Sequence, residues 1–288
     1  METKELLKKV RAIEIRTKQI SMQMFSGNYH SKFKGRGMSF RENREYYSGD
    51  DIRAINWNVT AKMNAPYTKV FEEERELNAL ILVDISSSNL LGSGSQTKKD
   101  LITEISAVLS MSAIQNKDKV GVLFFSDAIE KYIPPAGGKS HVLKIIRDLV
   151  HLSPVSKKTD INQALIYANR MLKKRSIIFL ISDFKADNYS DNLKRTNLKH
   201  SLTAIQIIDK RETQMSDIGL VQLKDAESGK LKWVNTSSYK TRKKYNSLMT
   251  ERQDGLEKMF LKSGINTTQI YTDLPYIKPL TALFQRGK

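Results

Sequence analysis

The sequence predicts an open α/β fold: a Rossmann-like domain with a mostly parallel central sheet and helices on both faces. Two observations predict it. Between residues 77 and 210, short apolar runs of strand length alternate with longer stretches of helical spacing. The first of these runs, Leu77–Asp84, is apolar up to its final residue apart from Asn78, which is typical of a strand buried on both faces of a parallel sheet.

The other elements of this part of the chain follow in order. Helical spacing and apolar runs predict helices over Lys98–Gln115, His141–Leu152 and Asp160–Leu172, and strands over Val120–Phe125, Lys131–Ile133, Ser176–Ser182 and Leu202–Ile208. The strand at Lys131–Ile133 is expected to be short, to end at Pro134-Pro135 and to lie antiparallel at one edge of the sheet.

The C-terminal part of the chain completes the same domain, which we expect to span residues 77–288. A hairpin near residues 219–235, turned by Glu227-Ser-Gly-Lys, is expected as an insertion before the last strand. A long helix over about Thr241–Ser263 follows, and Gly264 fits its C-cap position. A last strand over Ile265–Tyr271 and a closing helix over Tyr276–Phe284 end the domain.

Residues 1–76 have a different character. They begin with a helix-like stretch, in which Leu6, Val10, Ile13 and Ile20 fall on one stripe, and continue as a Gly- and Arg-rich segment. This segment is expected to be irregular with short strands, with Trp57 packed beneath the Gly49-Asp50-Asp51 turn. Because it has too few apolar residues for a core, it should pack on the main domain.

The composition excludes several kinds of site. The chain has no cysteine, so it has no disulfides, thiolate zinc sites or thiol nucleophile. Its four histidines are scattered without paired spacing. No apolar run reaches the length of a membrane span, and no signal peptide is expected at the N-terminus, so we expect a cytoplasmic protein. The net charge of +17 is spread along the chain and favours acidic partners or anionic surfaces.

The motif that carries chemistry is Asp84-Ile85-Ser86-Ser87-Ser88, at the carboxyl end of the first central strand. Ligands of open α/β sheets bind beyond this edge. One carboxylate and two hydroxyls at this spacing are hard oxygen ligands that suit Mg²⁺. Two further loops, at Thr159 and at Asp183, can reach the same edge. A Ser-rich turn that only caps the next helix is the structural alternative.

This set of residues resembles the metal-ion-dependent adhesion site of von Willebrand factor type A domains. The resemblance implies that Asp84, Ser86 and Ser88 come from the first loop, Thr159 from the second and Asp183 from the third, around Mg²⁺ or another divalent cation such as Mn²⁺ or Ca²⁺. It also implies the strand order 3-2-1-4-5-6. The chain departs from the pattern at Lys157 and Lys158, where a Gly often precedes the Thr.

The N-terminal segment, including Phe33-Lys-Gly-Arg-Gly, Gly49-Asp50-Asp51-Ile52-Arg53 and Glu73-Glu74-Arg75-Glu76, resembles the bacterial "domain of unknown function fifty-eight" family. That family joins such a segment directly to a type A domain. The resemblance implies a protein-interaction module that works with a MoxR-type AAA+ ATPase, or with the substrate of one, in the assembly or remodelling of proteins.

Two other functions stay open. A metal-dependent hydrolase is one, but a phosphatase with Asp84 as nucleophile would need a second carboxylate at position 86, and no phosphate-binding Gly-x-x-x-x-Gly-Lys-[Ser/Thr] loop is present. We therefore expect no enzymatic activity. Nucleic-acid binding is the other, motivated by the charge but without a recognised binding motif. An acidic side chain from a protein partner, which fills an open position on the cation, fits the residues better.

Overall fold

The computed structural model describes residues 38–73, 77–86, 97–151, 156, 158–224 and 231–285. The predicted N-terminal helix, Ser88 and Lys157 lie outside these residues. The described residues fall into two compact units, one within residues 30–77 and one within residues 78–288. The expected packing of residues 1–76 on the main domain stays a prediction.

The smaller unit is built on an antiparallel pair of strands, β1 (Met38–Glu45) and β2 (Tyr67–Glu73), joined by a 3₁₀ turn (Ile52–Ala54) and the helix α1 (Trp57–Met63). The short strands agree with the prediction, but the position of Trp57 was predicted wrongly. Trp57 is the first residue of α1 and is 66% exposed. The turn is held instead by Arg44, whose guanidinium lies 2.7 Å from Asp50 Oδ1.

The larger unit contains a six-stranded sheet in the order β10-β7-β6-β3-β4-β5, flanked by helices. Its strands are β3 (Asn78–Asp84), β4 (Lys119–Phe125), β5 (Ile129–Ala136), β6 (Ile177–Ser182), β7 (Ser201–Ile208) and β10 (Asn266–Tyr271). All neighbouring pairs are parallel except β4 and β5. If the six strands are renumbered 1 to 6 in chain order, starting from β3, and the sheet is read from the β5 edge, the order is the expected 3-2-1-4-5-6. The predicted fold class is confirmed.

Seven helices and a hairpin complete the described part of this unit. They are α2 (Lys98–Gln115), α3 (Lys139–His151), α4 (Ile161–Met171), α5 (Ser190–Lys199), α6 (Lys210–Thr213), the hairpin of β8 (Leu220–Lys224) and β9 (Leu231–Asn235), α7 (Tyr239–Lys262) and α8 (Ile277–Gln285). The hairpin lies before β10 as predicted, and Gly264, with φ of +62°, follows the C-cap of α7. None of the described helices is long and apolar enough to cross a membrane.

The central strands are buried because helices cover both faces of the sheet. In β3, the residues from Ala79 to Asp84 are all buried, as an uninterrupted apolar run predicts. Leu80 and Leu82 share one core cluster with Ile161 and Leu165 of α4. The strand that leads to the predicted metal motif is thus buried from Ala79 to its carboxyl end.

The edge strand β5 differs from its prediction. It runs on through Pro134 and Pro135, which were expected to end it. Proline is tolerated here because β5 is an edge strand that pairs only with β4, and the register of this pair shifts between Val120 and Val122, opposite the two prolines. Gly121 of β4 allows the close approach: a Cβ on it would lie 2.6 Å from the Ile133 carbonyl oxygen and 2.7 Å from Pro135 N.

Candidate metal centre

The buried carboxylate of Asp84 is the centre of the candidate site. Asp84 is the last residue of β3 and is fully buried, as is Ser86. The Ser86 backbone N–H donates to Asp84 Oδ1 at 2.9 Å, which shapes the turn that follows the strand. Because the carboxyl ends of central parallel strands lie at the ligand-binding edge of an open α/β sheet, the fold brings this carboxylate to the predicted edge.

The end of β6 contacts Asp84 directly. The Ser182 hydroxyl donates to Asp84 Oδ2 at 2.6 Å, and the same oxygen of Ser182 accepts the Phe184 N–H at 3.0 Å. Phe184 has φ of +56°, a strained conformation for an aromatic residue. Its buried ring packs edge-on against Phe260, with 5.1 Å between centroids, which secures the strained turn. Asp183, between Ser182 and Phe184, is thereby fixed at the same edge.

The loop before α4 lies beside the end of β4. Thr159 is half-buried there, and the next residue, Asp160, caps α4 by accepting the Gln163 N–H at 3.0 Å. The Asp160 N–H donates to Ser126 O at 2.8 Å, which ties this loop to the strand next to β3. Thr159 is therefore on the loop that the sequence predicted. Ser88, the remaining predicted ligand, lies outside the described residues.

The environment of Asp84 disfavours its negative charge. Burial, and after it the charge of Asp183, raise the pKa of Asp84 to about 6, although hydrogen bonds from Ser182 and Ser86 act in the opposite direction. The ionised form of a buried carboxylate next to a second carboxylate is stabilised when a positive charge is added close by. The site is therefore electrostatically suited to a cation.

Four charged side chains lie next to these residues: Lys98, Asp183, Lys185 and Glu212, called the charge cluster below. The Lys98 ammonium is fully buried, lies 3.4 Å from Asp183 Oδ2 and donates a hydrogen bond to Glu212. Lys185 Nζ lies 3.6 Å from Asp183 Oδ2 and 2.9 Å from Glu212 Oε1. Burial by itself would lower the pKa of Lys185, but the two carboxylates outweigh it and raise that pKa above its usual value.

The charge cluster was not predicted from the sequence. One signal was present: Lys98 stands three and four residues before Leu101 and Ile102, so it lies on the inner stripe of α2, where all three are buried. Glu212 gave no such signal, because α6 has only four residues and follows β7 at a position fixed by the topology. The sequence pattern thus pointed to the buried lysine but not to its partners.

The donor atoms fit a small divalent cation. Asp84, Ser86 and Thr159 offer one carboxylate and two hydroxyls, which are the hard oxygen ligands that Mg²⁺ accepts while it keeps several waters. Among the described residues, no group of three or more His, Cys, Asp or Glu side chains could hold a metal ion.

Comparison with known proteins gives a family match. The family model described as "Protein of unknown function DUF58" matches residues 42–255, well over half of the chain. Similar proteins include the uncharacterized protein Rv1480 of Mycobacterium tuberculosis (strain ATCC 25618 / H37Rv), 28% identical over 223 residues, which are 76% of this chain and 70% of the relative. The uncharacterized protein MAV169 of Mycobacterium avium is 29% identical over 100 residues, 34% of this chain and 59% of the relative.

Solved structures are similar in fold. The conserved hypothetical protein BatB from Bacteroides thetaiotaomicron aligns with a TM-score of 0.50 at 15% identity, over 73% of this chain and 98% of that one. The von Willebrand factor type A domain of SpRpn10 aligns with a TM-score of 0.42 at 13% identity, over 74% of this chain and 95% of the other. At these identities the likeness concerns the fold alone.

Proposed function

The chain belongs to the DUF58 family of proteins of unknown function, and we propose that it is a metal-ion-dependent protein-interaction module. The observation that carries the proposal is the position of Asp84, fully buried at the carboxyl end of β3. Its oxygens accept hydrogen bonds from Ser86, in the loop after β3, and from Ser182, at the end of β6. Asp84, Ser86, Ser88 and Thr159 would hold Mg²⁺, or Mn²⁺ or Ca²⁺ in its place, with Asp183 acting through water.

The bound cation would supply a Lewis acid with an open position. One carboxylate and neutral hydroxyls leave one of the two positive charges of a divalent ion uncompensated, so an acidic side chain from a partner protein is a favourable further ligand. The protein's own residues orient the ligands: Ser182 holds the Asp84 carboxylate, and the strained turn at Phe184 holds Asp183.

The surface near the site supports an acidic partner. On α7, three lysines and one glutamate line a groove of about 440 Å³ together with Tyr239 and Leu248, both of which are exposed. The charged residues are Lys240, Lys243, Lys244 and Glu251, so the positive charges predominate. Tyr245 follows Lys244 directly, and its hydroxyl donates to Glu212 O at 2.8 Å, which ties this helix to the segment that carries Glu212 of the charge cluster. Positive charge here should speed encounter with an acidic surface.

We propose a MoxR-type AAA+ ATPase, or the substrate of one, as the partner. Chelation is a poor test with such an ATPase, because its nucleotide also needs Mg²⁺. The test therefore compares the binding kinetics of wild type, Asp84→Asn and Asp148→Asn with a purified MoxR-type ATPase at constant Mg²⁺. Asp148 is a buried aspartate that pairs with Lys131 at 2.7 Å, outside the candidate site.

We expect Asp84→Asn to dissociate faster by about tenfold or more, because loss of a buried charged contact acts mainly on the off-rate. Asp148→Asn should bind as wild type does. Substitution of Lys243 and Lys244 by Glu should instead slow association, and the effect should shrink as salt is raised. If Asp84→Asn and wild type bind the ATPase equally well, the cation is not the contact and the proposal is wrong.

A further inference from the structure

The charge cluster gives Asp183 a different electrostatic environment from that of Asp84. Both carboxylates of the cluster, Asp183 and Glu212, contact both ammonium groups, those of Lys98 and Lys185. The cluster therefore contains two negative and two positive charges, and the charge of Asp183 is compensated from within the protein. Asp84, in contrast, accepts its described hydrogen bonds from a backbone N–H and a neutral hydroxyl.

We infer that Lys98 is a built-in counter-ion that sets the metal affinity of the site, because it holds Asp183 out of the direct coordination of the cation. The inference rests on the proposed function and deepens it. With the charge of Asp183 compensated by Lys98 and Lys185, a divalent ion gains little from this second carboxylate, binds weakly, and keeps the need for a carboxylate from the partner. Lys98 is in this sense a positioning residue that acts through Asp183.

Because it is buried, Lys98 compensates the charge of Asp183 more strongly than Lys185 does. Its side chain is 0% exposed, whereas that of Lys185 is 35% exposed. Charges interact more strongly where water is excluded, so the Lys98 ammonium binds Asp183 more firmly at 3.4 Å than Lys185 does at 3.6 Å. A buried ammonium must itself be paired, and Asp183 and Glu212 supply the pairing.

A purely structural role for Lys98 predicts the opposite effect of its removal on metal binding. If the ammonium only held the loops in place, Lys98→Met would disorder the edge of the sheet and weaken the binding of a cation. If it acts as a counter-ion, the same variant frees the charge of Asp183, and a cation should bind more tightly. The direction of the change in Kd separates the two roles.

The experiment measures Kd for Mg²⁺ and for Mn²⁺ alone by isothermal titration calorimetry on the full chain. It compares wild type, Lys98→Met, Lys185→Met, Asp84→Asn and Lys131→Met. The last variant removes a lysine from the pair with Asp148, outside the site. Because removing a charge next to a carboxylate changes its affinity for a proton by about 1–3 pKa units, Lys98→Met should lower Kd by about tenfold or more.

Lys185→Met should lower Kd by a smaller factor, and Lys131→Met should leave it unchanged. Lys185 is partly exposed, so its variant tests the inference even if Lys98→Met fails to fold. The inference is wrong if Kd is unchanged or higher in Lys98→Met and Lys185→Met. If wild type then still binds metal and Asp84→Asn does not, the proposed function stands. If wild type binds neither Mg²⁺ nor Mn²⁺, the inference and the proposed function are both wrong.

Discussion

Replacement of Asp84 by asparagine tests directly whether the buried carboxylate at the centre of the site binds a cation. The side chain keeps its shape but loses the charge. In the folded protein the pKa of Asp84 is raised from 3.8 to about 6, chiefly by burial. The folded state therefore binds more protons than the unfolded state between these two values. The contribution of Asp84 to stability is fully present below pH 3.8 and is lost as the pH rises through about 6.

The size of the effect follows from this shift. A pKa raised from 3.8 to about 6 corresponds to roughly 3 kcal/mol of destabilisation at pH 8 without metal. Asparagine removes this cost, but it weakens one of the hydrogen bonds that Ser86 and Ser182 donate, which is worth about 1 kcal/mol. At pH 8 in EDTA, Asp84→Asn should therefore be more stable than wild type by about 2 kcal/mol. At pH 4 the advantage should vanish or reverse.

Magnesium should stabilise wild type but not Asp84→Asn. A ligand that binds only the folded state at about 100 times its Kd adds roughly 2.7 kcal/mol, which would offset the cost of the buried charge. Asp148→Asn, whose change lies outside the site, should keep the wild-type response to magnesium.

The assay is urea unfolding followed by far-UV circular dichroism, at pH 4, 6 and 8, in EDTA and in magnesium. Circular dichroism is preferable to fluorescence, because Trp57 and Trp233 are 66% and 63% exposed and report poorly on the core. The reasoning is refuted if Asp84→Asn is less stable than wild type at pH 8 in EDTA. It is also refuted if magnesium stabilises both proteins equally.

Three further predictions concern the scaffold and are measured by urea unfolding. Gly121→Ala should lose about 1–3 kcal/mol, because its Cβ would lie 2.6 Å from a carbonyl oxygen of β5; Gly137→Ala, which meets no atom within 4 Å, should change little, and equal losses would contradict this. Phe184→Ala should lose about 3–5 kcal/mol, since its buried ring packs on Phe260; a loss below about 1 kcal/mol would contradict the packing argument. Burial lowers the pKa of His200 to about 4, so stability should be complete above pH 6.5 and fall as the pH drops towards 4; His200→Asn should flatten this fall, and an unchanged slope would count against it.

The sheet could be predicted because each of its central strands is encoded by the residues of that strand and its immediate neighbours. Each central strand carries its own signature, an apolar run ended by polar or turn-forming residues, and β3, β4, β6 and β7 lie within about one residue of their predicted bounds. The helix α2 was predicted at its observed bounds, Lys98–Gln115. The hairpin and Gly264 also carried turn and cap signals of their own.

The helix α5 was missed because its signal is weak. Its only buried residues are Leu193 and Thr196, too few to give an apolar stripe. The helix is secured by polar contacts with α4 that become visible only after folding: Asn169 donates to the Thr196 hydroxyl oxygen at 2.7 Å, and Asn192 donates to Asn162 at 2.6 Å. Contacts of this kind leave no periodic trace in either segment.

The candidate site shows the same division between local and distant information. Asp84 and Ser86 are two residues apart, so one turn specifies their geometry, and the motif could be recognised in the sequence. The electrostatics depend on Lys98, which meets Asp183 across 85 residues of chain and Glu212 across 114. Because the affinity of a cation follows from all the charges around it, a motif can indicate where a cation binds but not how tightly. That second property is decided by which loops the strand order brings to the edge of the sheet, and here it brings a buried lysine beside the third-loop aspartate.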